Sequence, residues 1–212
     1  MTIERIAFGE SYPFFSESSE YICDSDKIKG YLENLSIQYP TSVIKKLGNG
    51  DHVRNGNSIY RIDNIENICN KVRGNKNIPF GKIPLTEIYN SFKVPQNKQV
   101  KDGDFSFSEI LGENGMCFEC AVLTHLFAQE NKENFPFLIT EGYLFDEQGE
   151  QGLHAYNLIF RRNELFLLDS SNPLNSESQL VHYIAPVVGI KPYGNEIIVE
   201  NSWKQGRQYS IL

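Results

Sequence analysis

The sequence is poor in the features that mark secreted, membrane-spanning or nucleic-acid-binding proteins. Its 212 residues contain only four cysteines, too few for a disulfide-stapled scaffold. The formal net charge of −7 at pH 7 leaves no general excess of the basic residues that nucleic acids and anionic membranes attract. No apolar run approaches the roughly 18 residues of a membrane-spanning helix. We therefore expect neither a nucleic-acid partner nor a membrane span.

The N-terminal residues also lack the basic segment and the apolar run of a secretory signal. A cytoplasmic location is the resulting expectation, with export by a route that needs no N-terminal signal as the alternative. The composition, 40% hydrophobic and 22% charged, is typical of a globular chain that folds without disulfides. The length predicts one domain, or one domain with a smaller N-terminal subdomain.

Residues 1–100 are predicted to form a mostly helical N-terminal region. Asn55-Gly56 lies between two β-prone segments and indicates a hairpin. A polar connector over residues 93–104 is the expected boundary, after which residues 101–212 form the core. The spacing of apolar residues predicts helices over residues 26–35, 64–72 and 84–92.

A long apolar segment opens the second part of the chain. From Met116 to Ala128, ten of thirteen residues are apolar, and neither Gly nor Pro interrupts the run. Because no alternation of period two is present, we predict a helix that is buried on nearly all sides. Cys117 lies in its first turn, where free N–H groups and the helix dipole stabilise a thiolate. The alternative is a structural role, since cysteine is among the most buried residue types.

The residues that follow this helix predict an antiparallel sheet. Six short segments are rich in β-branched and aromatic residues and are separated by Gly, Asn, Asp or Pro. Short connections favour antiparallel pairing, so the expected fold class is α+β, with the buried central helix packed on the sheet. The predicted strands cover residues 137–145, 154–161, 165–169, 181–190, 196–199 and 208–211.

A histidine and an aspartate are predicted to meet on two neighbouring strands. If the chain turns at residues 162–163, Arg161 pairs with Glu164, and Asp169 lies one diagonal step from His154 on the same sheet face. A loop of four residues would place the two directly opposite each other, whereas a loop of three would separate them.

Asp169 is also unusual in its position after a run of apolar residues. A carboxylate that enters a buried sheet is costly unless it is paired, and an imidazole N–H would supply that pairing. The alternative is that Asp169 caps the turn over residues 170–173, a common function of aspartate.

The order and spacing of these residues resemble the transglutaminase-like branch of the papain-like cysteine enzymes. The shared features are Gly-Met-Cys117 opening a buried helix, His154-Ala-Tyr-Asn on a strand, and Leu-Leu-Asp169 ending the next strand. The resemblance covers about residues 105–172 and implies a papain-like or transglutaminase-like core. It further implies that Cys117 is the nucleophile, that His154 is the general base and acid, and that Asp169 orients His154.

The same resemblance implies a thiol enzyme that acts on amide bonds of proteins or peptides through a thioester acyl-enzyme. Proteolysis, deamidation and transglutaminase-type acyl transfer are all compatible with it. The substrate would be a protein or peptide, and the chemistry needs neither a cofactor nor a metal. The Cys117 backbone N–H is the expected oxyanion donor. The sequence predicts no particular oligomeric state.

Three other interpretations stay open. Gly115-Met-Cys117-Phe-Glu119 also resembles the helix start of arylamine N-acetyltransferases, although those enzymes usually carry Arg-Gly-Gly before the Cys-aromatic-Glu tripeptide, where this chain has Glu-Asn-Gly115. Cys117 and Cys120 form a CxxC pair of the thioredoxin type, but the strand and small turn that precede such a pair are absent. The third alternative is a non-catalytic protein-binding domain with the same fold.

Overall fold

The protein belongs to the α+β class, as predicted. Its structure, a computed structural model, combines small sheets with helices in the residues it describes. These are residues 5–6, 21–22, 46–74, 76, 87–88, 90–92, 102–113, 115–129, 137–145, 151–161, 164–176, 179–193, 196–201 and 208–211.

The first part of the chain contributes two short antiparallel strand pairs. Strands β1 (Arg5–Ile6) and β2 (Tyr21–Ile22) form one of them. Strands β3 (His52–Asn55) and β4 (Ser58–Arg61) form the other, which confirms the predicted hairpin. Gly56 has a φ of 56°, a left-handed conformation that glycine adopts without steric cost, and this permits the tight turn.

Helix α1 (Ile65–Arg73) confirms the helix predicted over residues 64–72. Asn64 caps its start, because the Asn64 side chain accepts a hydrogen bond from the Asn67 N–H at 2.8 Å. The predicted helix over residues 26–35 lies outside the described residues, as do four of the nine residues of the one predicted over residues 84–92. Of the other five, residues 87–88 are helical, whereas residues 90–92 form a turn.

The predicted boundary near residue 100 is followed by strand β5 (Asp104–Ser106), which pairs in parallel with β4. Residues from both sides of that boundary therefore share one three-stranded sheet. The division into regions 1–100 and 101–212 stays a prediction. Helix α2 (Phe107–Ile110) follows β5 directly, and its Ser108 N–H donates to Asp63 at 3.0 Å.

Helix α3 (Cys117–Ala128) is the predicted central helix and is buried along almost its whole length. Two glycines shape the turn that leads into it. Gly112 has a φ of 86°, which a side chain would strain. At Gly115, a Cβ atom would lie 2.4 Å from ring carbons of Phe92, so the close packing of that ring requires glycine.

Six antiparallel strands follow α3 and form a sheet whose first and last strands are hydrogen-bonded to each other, so that it closes on itself. All six predicted strands are confirmed, several of them with longer bounds. Helix α3 packs on the first three of these strands, β6, β7 and β8. The six are β6 (Phe137–Phe145), β7 (Gln151–Arg161), β8 (Glu164–Ser176), β9 (Gln179–Tyr193), β10 (Glu196–Asn201) and β11 (Gln208–Ile211).

The hydrophobic core joins α3 to the first part of the chain. Leu47, Ile62 and Ile68 belong to the same buried cluster as the apolar residues of α3. Burial of each such side chain contributes about 1.5–3 kcal/mol to stability. Gln129, the residue after α3, adds two polar contacts: its Oε1 accepts from the Leu47 N–H at 2.9 Å, and its Nε2 donates to the Leu47 carbonyl at 2.7 Å. Among the residues described, every helix is too short or too polar to cross a membrane.

Candidate thiol site

Cys117 is the first residue of α3 and a free thiol. It is only partly buried, and Met116 immediately before it is 42% exposed. A nucleophile at this position is therefore accessible from solvent, unlike the buried residues that follow it along the helix.

Strands β7 and β8 carry the other two predicted site residues. The observed register pairs Arg161 with Glu164 and Asn157 with Leu168, which is the register predicted for a turn at residues 162–163. His154 and Asp169 lie just past the Asn157–Leu168 pair, where the backbone pairing of β7 and β8 ends. The His154 Nε2 and Asp169 Oδ2 atoms are 2.8 Å apart, so the predicted contact is confirmed.

Asp169 is fully buried, with 0% of its surface exposed. Its second oxygen, Oδ1, accepts hydrogen bonds from the Ser171 N–H at 3.1 Å and from the Ser171 hydroxyl at 2.8 Å. The two functions predicted for Asp169, pairing with His154 and capping the turn that follows, thus occur together. Oδ2 pairs with His154, and Oδ1 accepts from Ser171 in the turn. The three donors offset the cost of burying the carboxylate.

The carboxylate also determines which ring nitrogen of His154 must hold a proton. An ionised carboxylate only accepts hydrogen bonds, so Nε2 must hold a proton and donate it to Asp169. The other ring nitrogen, Nδ1, is then the one that can exchange a proton with Cys117, whose side chain lies within hydrogen-bonding range of the imidazole. Burial lowers the pKa of His154, but the Asp169 charge and the hydrogen bonds with Asp169 and Cys117 outweigh it and raise the pKa to about 10.

Tyr156 supports the histidine from the same strand. Its ring stacks on the imidazole of His154, with centroids 6.4 Å apart and planes inclined by 12°. Tyr156 is buried, and burial together with the nearby Asp169 carboxylate raises the pKa of its phenol. The phenol of Tyr156 therefore stays protonated beside the imidazole.

Polar side chains fix α3 against the two strands that carry His154 and Asp169. The Asn157 Nδ2 donates to the Ala121 carbonyl at 3.1 Å. The Thr124 hydroxyl donates to the Cys120 carbonyl at 2.8 Å and lies 2.7 Å from the Ser170 hydroxyl. All of these groups are buried, and hydrogen bonds in such surroundings hold neighbouring elements in a defined arrangement. The relative position of the helix start and the two strands is thus fixed from within the core.

Two residues near the site were not found from the sequence. Glu119, in the first turn of α3, is 4% exposed, and its Oε2 accepts from the Met116 N–H at 2.8 Å. The hydroxyl of Tyr60, on β4, donates to Glu119 Oε1. A glutamate at the third position of a helix is a known capping signal and could have revealed the first contact. Nothing in the local pattern around Tyr60 indicates the second.

Cys120 differs from Cys117 in environment, although both belong to the CxxC pair. It is 4% exposed, and burial, followed by the nearby groups Glu119, Cys117 and Asp169, raises its pKa well above the usual range. Such a thiol stays protonated, which disfavours its use as an attacking thiolate. Among the described residues, no group of three or more His, Cys, Asp or Glu side chains is arranged to hold a metal ion.

The structure thus brings His154 and Asp169 into direct contact and places Cys117 beside them, while the catalytic roles of all three stay predictions. Comparison of the chain with models of protein families, with curated proteins and with solved structures found no match. Function must therefore be inferred from the chemistry of the site.

Proposed function

We propose that the protein is a thiol enzyme with a Cys117–His154–Asp169 triad and a papain-like or transglutaminase-like core. It acts on amide bonds of proteins or peptides through a thioester acyl-enzyme. The observation that supports this most directly is the buried bond between His154 Nε2 and Asp169 Oδ2. Because that bond engages Nε2, we assign the proton exchange with Cys117, a half-buried cysteine at a helix start, to Nδ1.

The resting state of the site is an ion pair. A His154 pKa of about 10 means that the imidazole holds both protons at neutral pH. The Nε2 proton is shared with Asp169, and the Nδ1 proton faces Cys117. An imidazolium beside a cysteine favours the thiolate, which is the reactive form.

In the acylation step, the Cys117 thiolate attacks the carbonyl carbon of the amide. The developing oxyanion lies near the first N–H groups of α3, and the Cys117 N–H is the proposed donor. The C–N bond then breaks, and the leaving nitrogen takes the proton from His154 Nδ1. A thioester on Cys117 and a neutral imidazole remain.

In the second step, neutral His154 acts as the base. Its Nδ1 removes a proton from water or from an amine, whose oxygen or nitrogen attacks the thioester carbonyl. The C–S bond breaks and the Cys117 thiolate is restored beside the reprotonated imidazole. Attack by water gives hydrolysis or deamidation, whereas attack by an amine gives acyl transfer. Throughout, Asp169 keeps the Nε2 proton in place and therefore keeps Nδ1 as the site of transfer.

Alkylation of Cys117 by iodoacetamide, followed over pH by mass spectrometry, tests the pairing directly. Cys69 and Cys120, both buried, serve as internal controls. In the folded wild-type protein, Cys117 should react selectively at pH 6–7, and His154→Ala should abolish that selectivity. Equal, slow labelling of Cys117 in the two proteins would end the proposal.

Activity assays then separate the possible outcomes. Glutamine-containing peptides are incubated with and without a fluorescent primary amine, and ammonia release, amine incorporation and peptide cleavage are each measured. Cys117→Ala should abolish the observed activity and keep the wild-type circular dichroism spectrum. Cys120→Ser should retain most of the activity.

A further inference from the structure

The start of α3 already holds a negative charge. The Glu119 carboxylate is buried, and its two oxygens accept from the Tyr60 hydroxyl and from the Met116 N–H. Two donors directed at the two oxygens fit the ionised carboxylate, which can only accept. An anion at this position is the one that a helix N-terminus stabilises most.

This carboxylate lies two residues from the proposed nucleophile. It competes with the Cys117 thiolate for the favourable potential of the helix start, and it repels that thiolate as a like charge. Met116 N–H, the donor just before Cys117, is already used by Glu119. The described titratable groups around Cys117, taken from each element that carries them, are Tyr60 of β4, His154 of β7, Asp169 of β8, and Glu119 and Cys120 of α3.

Of these groups, only the imidazolium of His154 is a cation. The aromatic ring of Tyr60 also contacts Phe118, the residue after Cys117, with ring centroids 5.6 Å apart. The hairpin strand β4 therefore holds the helix start through both a hydrogen bond and ring packing. It does so from a part of the chain that lies 59 residues before Glu119 in sequence.

We propose that Tyr60 and Glu119 are positioning residues that restrain Cys117: by holding a carboxylate at the helix start, they make the thiolate dependent on the His154 imidazolium. The inference rests on the proposed thiol chemistry and adds to it a control element contributed by the first part of the chain. It reverses the expectation from the sequence that the helix start itself activates the cysteine.

Glu119→Gln tests this, since the amide keeps the size of the side chain and one acceptor but removes the charge. The pH profile of Cys117 alkylation should move by about one pH unit toward acid, which is about a tenfold faster reaction on the acid side of the midpoint. Tyr60→Phe removes the donor that holds the carboxylate against the helix start, so the charge lies on average farther from Cys117. It should shift the profile in the same direction by a smaller amount, about threefold in rate.

Gln129→Ala is the matched control. It removes two buried hydrogen bonds, with the Leu47 N–H and the Leu47 carbonyl, at the opposite end of α3 from Cys117. Its pH profile should match that of the wild type even where its stability falls. A purely structural role for Glu119 and Tyr60 would resemble this control, with lower stability and an unmoved profile.

Slower or unmoved labelling in folded Glu119→Gln would overturn the proposal. If that variant does not fold, the profile of Tyr60→Phe decides in the same way. His154→Ala, assayed in parallel, keeps the two hypotheses apart. Labelling that depends on His154 but not on Glu119 or Tyr60 would refute only the restraint, whereas labelling that is independent of His154 would refute the proposed function.

Discussion

Replacement of Asp169 by asparagine changes the charge of the buried pair and leaves its size unchanged. The amide oxygen has to stay at the Oδ1 position, because the Ser171 N–H and hydroxyl both donate there. The NH₂ group then faces His154 Nε2 across the former 2.8 Å hydrogen bond. Since NH₂ cannot accept a proton, Nε2 must become the acceptor, and the single proton of the neutral ring moves to Nδ1. The nitrogen that faces Cys117 can then no longer take up the thiol proton.

The size of the effect follows from the forces that act on His154. Burial lowers its pKa, and it is the Asp169 charge, with the hydrogen bonds of Asp169 and Cys117, that raises it to about 10. Without the charge, burial dominates and the imidazole is neutral at pH 7. Loss of a hydrogen bond to a charged partner costs about 1.5–3 kcal/mol. Because 1.4 kcal/mol corresponds to about a factor of ten, Cys117 alkylation at pH 6.5 should slow by about ten- to a hundredfold.

The assay compares second-order alkylation rates of Cys117 in wild type and Asp169→Asn at pH 6.5, with mass spectrometry to identify the labelled residue. Asp63→Asn is the control, because Asp63 also accepts a backbone hydrogen bond, from Ser108 at 3.0 Å, but belongs to another part of the fold. Its rate should equal the wild-type rate. An Asp169→Asn protein that folds and reacts as fast as the wild type would show that the buried pair does not govern the cysteine.

Three further predictions concern stability and Cys120. The pKa of His154 is about 10 in the folded state and about 6.5 in the unfolded state, so its stabilising contribution is complete below pH 6.5 and is lost as the pH rises toward 10. In that window, the free energy of unfolding measured in urea should fall by up to about 1.4 kcal/mol per pH unit. The His154→Ala variant should lack this fall. Gln129→Ala breaks both hydrogen bonds to the Leu47 backbone and should cost about 1–3 kcal/mol in urea unfolding. Gln129→Glu should cost at least as much, because its buried carboxylate can accept from the Leu47 N–H but cannot donate to the Leu47 carbonyl. Unchanged stability in Gln129→Ala would contradict the contact. Cys120→Ala should keep the wild-type alkylation rate of Cys117, and abolished labelling would instead favour the redox-pair hypothesis.

Much of the site could be predicted because it depends on local patterns. The apolar run of α3, which neither Gly nor Pro interrupts, predicted a buried helix with Cys117 in its first turn. The two-residue connection between β7 and β8 fixed which face each side chain takes, since strand side chains alternate with a period of two. For a loop with an even number of residues, that alternation predicts the contact between His154 and Asp169, 15 residues apart, and the structure confirms it.

The contacts that were missed join distant parts of the sequence. Tyr60 lies in a hairpin that the Asn-Gly turn predicts well, but no local signal indicates that its hydroxyl meets Glu119. The parallel pairing of β5 with β4 was missed for the same reason, because parallel neighbours are joined by long connections whose partners the sequence pattern does not specify. Periodicity identifies elements and their buried faces. It does not identify which elements meet.

The bond between Gln129 and Leu47 also has a consequence during synthesis. It joins residues 82 positions apart, and a ribosome that adds about 5–20 residues per second needs about 4–16 s to make the intervening chain. Until α3 emerges, Leu47, Ile62 and Ile68 lack the helix that covers them in the folded protein. The nascent chain therefore exposes an apolar surface for several seconds. We expect chaperones that recognise apolar surfaces to bind it before Cys117 leaves the ribosome.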